Sequence, residues 1–266
     1  MNEPVAFYQV DAFADRPFAG NPAAVCLYET WLPDDLMQAI AAENNLSETA
    51  FVVPEGDDWG LRWFTPTTEV DLCGHATLAA AAVILEDVDP EASHVLFLTP
   101  SGPLGVGRDE GRYALDFPSI PPLPLDGEPS AALLEGLRAT PATVLDAGPS
   151  LLAVFDRAAD VAALDPDFVR LRDLGSHSVI ATAPGEGPDV DFVSRFFGPN
   201  VGVDEDPVTG SAHCTLAPYW GDRLDRKKLH ARQISARGGT LVVEDRGARV
   251  TIWGHAVIVI RGELFV

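Results

Sequence analysis

The sequence predicts an α+β fold made of two pseudo-symmetric half-barrel domains, each wrapped around a central buried helix. Three observations support this prediction: a helix-length segment that is apolar on every side, short strand-like segments around it, and an approximate repeat of this order in the second half. A chain of 266 residues with 47% hydrophobic content is large enough to bury two cores of ordinary size.

The first half begins with strand-like segments and one outer helix. A turn signal, Gly20-Asn21-Pro22, separates the first two strands, and a polar tip separates the last two. Leu36, Met37 and Ile40 recur at helical spacing, which indicates an amphipathic helix. The predicted strands are 6–13, 23–27, 49–53 and 61–64, and the predicted helix is 33–44.

The central helix is predicted at residues 76–85, which are apolar in every direction for about three turns. This helix is too short to cross a bilayer, so a sheet has to surround it. Strands are expected at 95–98, 104–106 and 113–117, followed by a proline-rich linker at 118–124. The predicted domains are therefore 1–118 and 119–266, with a final strand that can cross back to the first domain.

The second half repeats parts of the first. Residues 193–199 resemble 61–66, and 211–217 align without gaps on 73–79. This alignment places His213 opposite His75 and Ser211 opposite Cys73. Further strands are predicted at 240–244, 249–253 and 257–261, with a hairpin turn at 245–247.

Composition excludes several classes of function. A formal net charge of −22 repels nucleic acid and anionic membranes at long range. The N-terminal residues contain no basic stretch followed by an apolar run, so we expect a soluble, cytoplasmic protein. Cys26, Cys73 and Cys214 lack metal-type spacing, which predicts reduced thiols and no metal site.

Two predicted helix starts are candidate anion-binding sites. Gly74 and Gly210 stand where the first helical turn leaves backbone N–H groups without intrahelical acceptors, and Ser211 adds a hydroxyl. If both starts face one cleft, they hold a carboxylate without an arginine. The alternative is that glycine and serine only cap the helices.

Glu48, His75 and Asp206 are the acid–base candidates near these positions. Glu48 lies between an amphipathic helix and a strand, where partial desolvation makes a carboxylate a better base. Each also has a purely structural alternative: a solvated loop glutamate, a buried histidine, or a turn aspartate before proline.

The same residues bear on two other chemistries. A two-thiol epimerase needs one cysteine at each helix start, but Ser211 stands opposite Cys73 in the repeat and Cys214 lies deeper in its helix. Metal-dependent hydrolysis with His75 and His213 is the weakest reading, because no carboxylate stands at ligand spacing in the sequence.

Seven ordered motifs make the sequence resemble the PhzF-like (phenazine biosynthesis F-type) family, which shares the diaminopimelate epimerase fold. The motifs span nearly the whole chain: 9–13, 18–22, 45–51, 62–66, 71–77, 195–199 and 205–213. The resemblance implies a cofactor-independent isomerase, frequently a homodimer, that moves a proton on a small carboxylate-bearing molecule of the dihydro-hydroxyanthranilate type.

By its motif, the proton-shuttling glutamate implied by the resemblance is Glu48. The supporting His, Asp and Ser of the family fall on His75, Asp206 and Ser211, and Asn21, Gly74 and Gly210 are expected to bind substrate. No metal or organic cofactor is implied. A non-catalytic binding protein on the same scaffold and a two-thiol epimerase remain as alternatives.

Overall fold

The computed structural model of the chain describes residues 4–266, which form two compact units. The first unit runs to Asp116 and also takes Trp253–Val266 from the end of the chain, and the second unit is Phe117–Ile252. Residues 1–3, with which the predicted first domain begins, lie outside the described part.

Among its described residues, the first unit contains two α-helices, and about half of these residues lie in strands. Its elements are β1 (Val5–Ala12), β2 (Asn21–Leu27), α1 (Asp34–Asn44), β3 (Glu48–Glu55), β4 (Asp58–Phe64), β5 (Glu69–Val70), α2 (Gly74–Val83), β6 (His94–Thr99), β7 (Gly102–Asp109), β8 (Arg112–Pro118) and β18 (Ala256–Leu264). The last residues of β8 already belong to the second unit.

The second unit adds four helices and the remaining strands. Its elements are β9 (Leu123–Pro124), α3 (Ala131–Leu137), β10 (Thr143–Asp146), β11 (Ser150–Val154), α4 (Ala158–Ala162), α5 (Phe168–Leu171), β12 (Ser178–Pro184), β13 (Phe192–Gly198), β14 (Val203–Asp206), α6 (Gly210–Leu224), β15 (Lys228–Gln233), β16 (Gly239–Asp245) and β17 (Arg249–Gly254). β17 ends within the first unit.

Strand pairing follows the same order in both units. In the first, β2 runs parallel to β3, β3 antiparallel to β4, β4 antiparallel to β5 and parallel to β6, and β6 antiparallel to β7. The second unit repeats these pairings. There β11 runs parallel to β12, β12 antiparallel to β13, β13 antiparallel to β14 and parallel to β15, and β15 antiparallel to β16. The internal similarity of the sequence is therefore a repeat of sheet topology.

The central helix of the first unit is α2, and nine of its ten residues are buried. Alanine is the best helix former, and its small side chain lets strands approach the helix closely. α2 packs on β1, β2, β3 and β18. It begins two residues before the predicted start and ends at Val83, where a π-helical turn, Ile84–Val88, continues the chain.

The corresponding helix of the second unit is α6, which packs on β15 and β16. All residues of α6 from Ala212 to Gly221 are buried, whereas Ser211 and the last turn of the helix are exposed. The helix ends at Asp225, which adopts the left-handed conformation with φ 51°. Buried central helices inside sheets confirm the predicted fold class.

Most predicted strands and the outer helix agree with the structure within a few residues. The predicted linker at 118–124 is only partly irregular, because β9 pairs with β10 through Pro124 and Leu145. Pro124 is tolerated there because β9 is a two-residue strand. Within residues 4–266, no helix combines the length and the apolarity that a bilayer crossing requires.

Candidate active site

Glu48 is the first residue of β3 and lies at the edge where two parallel strands begin. The αL residue Asn45 (φ 50°) ends α1 and turns the chain back toward the sheet. Glu48 then pairs with Ala23 of the neighbouring β2. Its side chain is 15% exposed, so the carboxylate is largely desolvated yet reachable from solvent.

Asn21 starts β2 at the same edge and is fully buried. The preceding Gly20 has φ +66°, and a Cβ at that position would lie 2.1 Å from the carbonyl oxygen of Ala12. Only glycine accepts this close approach of two backbones without displacing one of them. Gly20 therefore fixes the point at which the chain enters β2 and with it the position of Asn21.

His75 is the second residue of α2, and its ring lies between Glu48 of β3 and Asn21 of β2. Its Nε2 lies 3.0 Å from Glu48 Oε2, and its Nδ1 lies 3.1 Å from Asn21 Nδ2. Cys73, the N-cap residue of α2, places its Sγ 3.5 Å from the same Nδ1. The ring is thus flanked by an amide, a thiol and a carboxylate.

The charge of His75 follows from these neighbours. Burial alone lowers the pKa of the imidazole, but Cys73 and Glu48 act in the opposite direction, and the pKa of His75 lies well above its ordinary value. Burial and the Glu48 charge raise the pKa of the Cys73 thiol, so this thiol is neutral near pH 7.

An ion pair that occurs in both units shows which residues of the second unit correspond to those of the first. Arg62 makes a two-pronged ion pair with Glu69 (2.6 and 2.7 Å), and Arg195 makes the same pair with Glu205 (2.7 and 2.8 Å). Each glutamate precedes the N-cap of the buried helix by four residues, since these N-caps are Cys73 and Thr209. Thr209 is thus the counterpart of Cys73.

The gapless sequence alignment, which placed His213 opposite His75, was therefore wrong by two positions. Ser211 corresponds to His75, and His213 corresponds to Thr77. The hydrogen bonds agree with this assignment, because Thr77 Oγ1 donates to the carbonyl of Cys73 (2.5 Å) and His213 Nδ1 donates to the carbonyl of Thr209 (2.7 Å). Burial lowers the pKa of His213 to about 4, which makes it a neutral structural residue.

Asp206 ends β14 and is held just before α6. Its Oδ2 accepts a hydrogen bond from Thr209 Oγ1 (2.5 Å), and its backbone carbonyl accepts one from Gln233 Nε2 (2.7 Å). Gln233 is fully buried and its Oε1 also accepts from the Thr209 N–H (2.9 Å). Sequence reasoning missed Gln233, although a glutamine at an inward position of the alternating strand β15 is the signal that reveals it.

The predicted site residues fall into two groups. The first unit contains Glu48, His75, Asn21 and Gly74, of which the first three are in mutual contact through His75. The second unit contains the predicted Asp206, Gly210 and Ser211, with Ser211 exposed at the start of α6. Their action on the same substrate stays a prediction.

Comparison with known proteins agrees with the motifs. The family model described as phenazine biosynthesis-like protein matches residues 10–262. An uncharacterized isomerase of Pseudomonas aeruginosa is 51% identical over 97% of both chains. A crystal structure of a PhzF-family phenazine biosynthesis protein from Enterococcus faecalis has a TM-score of 0.94 and 46% identity, and covers 99% of this chain and 100% of its own.

A more distant likeness concerns the fold alone. The crystal structure of a hydroxyproline epimerase from Agrobacterium vitis has a TM-score of 0.61 with 13% identity, over 99% of this chain and 91% of the other. The match over almost the whole chain and the high identity to proteins named as isomerases confirm the sequence-based assignment. The chain belongs to the phenazine biosynthesis-like (PhzF) family and is an isomerase.

Proposed function

We propose that the protein isomerises a small carboxylate-bearing molecule by moving one proton between two carbons, with Glu48 as general base and then general acid and with no organic cofactor or metal. The observation that supports this most directly is the contact of Glu48 with His75 (3.0 Å) in a buried site. A partly desolvated carboxylate is a stronger base than one in water.

The proposed reaction is balanced without an oxidant or reductant. A Glu48 oxygen takes a proton from a substrate carbon, and the electron pair of that C–H bond moves into the adjoining unsaturated system toward the substrate carboxylate. The protonated Glu48 then returns the proton to a second carbon while the double bond shifts. His75 Nε2 contacts Glu48 and orients its carboxylate for the transfer, and Asn21 contacts the other ring nitrogen of His75.

The start of α2 provides the donors for the substrate carboxylate. The first backbone N–H groups of a helix have no intrahelical acceptor, and Cys73 makes no side-chain capping bond there. In the proposal Gly74 lets the substrate approach this backbone closely, and Asp206, Gly210 and Ser211 serve the same molecule. No arginine is needed to bind the anion, because helix N-termini attract negative charge by themselves.

A two-thiol epimerase is less well supported by the side chains. The counterpart of Cys73 is Thr209, which cannot act as a thiol base. Cys214, four residues beyond the first residue of α6, directs its Sγ toward the carbonyl of Gly210, and burial raises the pKa of this thiol to about 12. A pair of thiolates at two helix starts is therefore missing from the described residues.

The proposal is tested by screening cyclic and acyclic amino and hydroxy acids for thermal stabilisation, and then incubating the stabilising compounds with enzyme in D₂O. We expect solvent deuterium in the recovered compound, because a proton held on Glu48 exchanges with water. A compound that stabilises the protein and never exchanges a carbon-bound proton would instead support a binding protein. A homodimer in a cytoplasmic setting, expected from the family resemblance and the sequence, stays part of the proposal.

A further inference from the structure

Phe18, in the loop between β1 and β2, combines two features that are unfavourable in a folded protein. It is 81% exposed, the highest value among the large apolar side chains of residues 4–266. Its backbone also has φ 68°, in the left-handed region that bulky side chains rarely adopt. Neither burial of the ring nor the backbone preference of phenylalanine explains this conformation. Strained residues of this kind cluster at sites that hold a ligand.

A buried carboxylate holds the backbone of Phe18 in place. Asp11 of β1 is only 1% exposed, and its Oδ2 accepts a hydrogen bond from the Phe18 N–H (2.6 Å). A hydrogen bond between a carboxylate and a backbone N–H is strong, so it offsets part of the strain at Phe18. The exposed ring is thus attached to a fixed backbone, which has little conformational freedom to lose when the ring contacts a ligand.

The same hydrogen bond places Phe18 beside the candidate site. Asp11 pairs with Pro22 of β2, and Asn21, the residue before Pro22, contacts His75. Phe18 precedes Asn21 by three residues, so their Cα atoms are at most about 11 Å apart. Phe18 therefore lies on the short segment that leads into the site.

A second exposed apolar side chain also lies close to His75. Leu72 is 41% exposed and directly precedes Cys73, whose Sγ lies 3.5 Å from His75 Nδ1. Phe18 and Leu72 thus come near His75 from two separate segments of the chain. Apolar side chains around a few well-placed polar groups are the usual composition of a small-molecule site.

We propose that Phe18 is a specificity-determining residue, whose ring stacks on the unsaturated carbon frame of the substrate while the start of α2 binds the substrate carboxylate. The position of that carboxylate rests on the proposed function, whereas the contact with Phe18 does not require Glu48 to act as a base. Aromatic rings stack favourably on planar unsaturated groups. The site therefore favours planar, unsaturated carboxylates over small saturated ones of equal charge.

The experiment measures binding of benzoate and of acetate to the full-length protein by NMR titration. The two probes share the carboxylate and differ in the aromatic ring. We expect the wild type to bind benzoate more tightly than acetate and to shift the benzoate ring protons upfield, as stacking on an aromatic face does. Phe18→Ala should weaken benzoate binding by about 5–10-fold, the effect of losing one aromatic contact, and should change acetate binding by less than about twofold.

Two conservative variants separate stacking from general apolar contact. Phe18→Tyr keeps an aromatic ring and should keep both the benzoate affinity and the upfield shift. Phe18→Leu keeps an apolar side chain and should lose the upfield shift.

Phe265→Ala is the matched control for removal of an exposed ring. Phe265 is 72% exposed and follows Leu264, which pairs with Val5 at the opposite end of β1 from Asp11. This variant should bind benzoate like the wild type. Phe18→Gly should keep or raise the Tm, because glycine adopts the left-handed backbone without strain.

Equal benzoate affinity of the wild type and Phe18→Ala, including no measurable binding by either, would overturn the proposal. A clear fall in the Tm of Phe18→Gly, or a changed oligomeric state of Phe18→Ala in size-exclusion chromatography, would also overturn it, because Phe18 would then belong to the core or to an interface. Benzoate offers no proton for the proposed transfer. If Glu48 is not the base, deuterium exchange fails but the dependence of benzoate binding on Phe18 persists.

Discussion

His213 should make the protein less stable as the pH falls, and the size of this effect follows from its surroundings. The ring is fully buried in α6, Nδ1 donates to the carbonyl of Thr209, and Nε2 has no hydrogen bond partner among the described residues. Burial lowers the pKa of His213 to about 4, against an ordinary value of 6.5. The folded protein therefore keeps this ring neutral at a pH where the unfolded chain protonates it.

The sign follows directly from this difference. Because the unfolded chain binds the extra proton first, the free energy of unfolding is highest above pH 6.5 and falls as the pH drops toward 4. From about pH 7.5 to about pH 4.5, this one residue lowers the free energy of unfolding by roughly 2.5 kcal/mol. Below the folded pKa both states are protonated, so no further loss from His213 is expected.

The assay is urea unfolding at a series of pH values, comparing wild type with His213→Gln. At neutral pH the variant loses the hydrogen bond to Thr209, which costs about 1 kcal/mol. Over that pH range, however, its free energy of unfolding should fall by roughly 2.5 kcal/mol less than that of the wild type. Leu216→Val, also fully buried in α6, is the control, since it should lower stability by about 1 kcal/mol at every pH. Parallel curves for wild type and His213→Gln would refute the reasoning.

Three further predictions concern the backbone, the second unit and metals. Gly20→Ala should destabilise the protein by at least roughly 2–3 kcal/mol more than Gly111→Ala in urea unfolding, because both glycines have positive φ but only Gly20 has backbone within contact range of a Cβ; equal losses would contradict this. Gln233→Leu should cost about 2–4 kcal/mol, since it leaves the Thr209 N–H buried without its acceptor, and a loss below about 0.5 kcal/mol in the same assay would contradict the assigned bonds. Proton exchange by the enzyme should survive extended EDTA treatment, and a loss restored only by added metal would contradict the metal-independent proton transfer.

The candidate site residues of the first unit could be singled out from the sequence because they lie close to recognisable element boundaries. Glu48 follows an amphipathic helix and begins a strand, and His75 follows the glycine that starts an all-apolar helix. Such boundaries depend on local patterns of apolar and polar residues, which one sequence contains in full. The contact of Glu48 with His75 depends on the parallel pairing of β2 with β3, which local patterns do not specify.

The register of the internal repeat could not be predicted from matching letters. Aligning His213 on His75 maximised identity in one short block, but a helix is positioned by its N-cap and by the strand before it. Ion pairs of Arg62 with Glu69 and of Arg195 with Glu205 tie β5 and β14 to their neighbouring strands. The glutamate of each pair precedes the N-cap of its helix by four residues. That spacing is visible in the sequence once the ion pairs are known.

The central claim is that Glu48 transfers the proton, and the most direct measurement compares proton exchange in Glu48→Gln, Cys73→Ser and the wild type. Exchange of the carbon-bound proton of a substrate with D₂O is followed by mass spectrometry, with the Tm of each variant showing that the fold is kept. We expect Glu48→Gln to reduce the exchange rate by about 10²–10⁴-fold, the usual effect of losing one general acid–base group, while Cys73→Ser stays within about tenfold of the wild type. Undiminished exchange in folded Glu48→Gln, together with its loss in Cys73→Ser, would contradict the account and assign the proton transfer to the thiol.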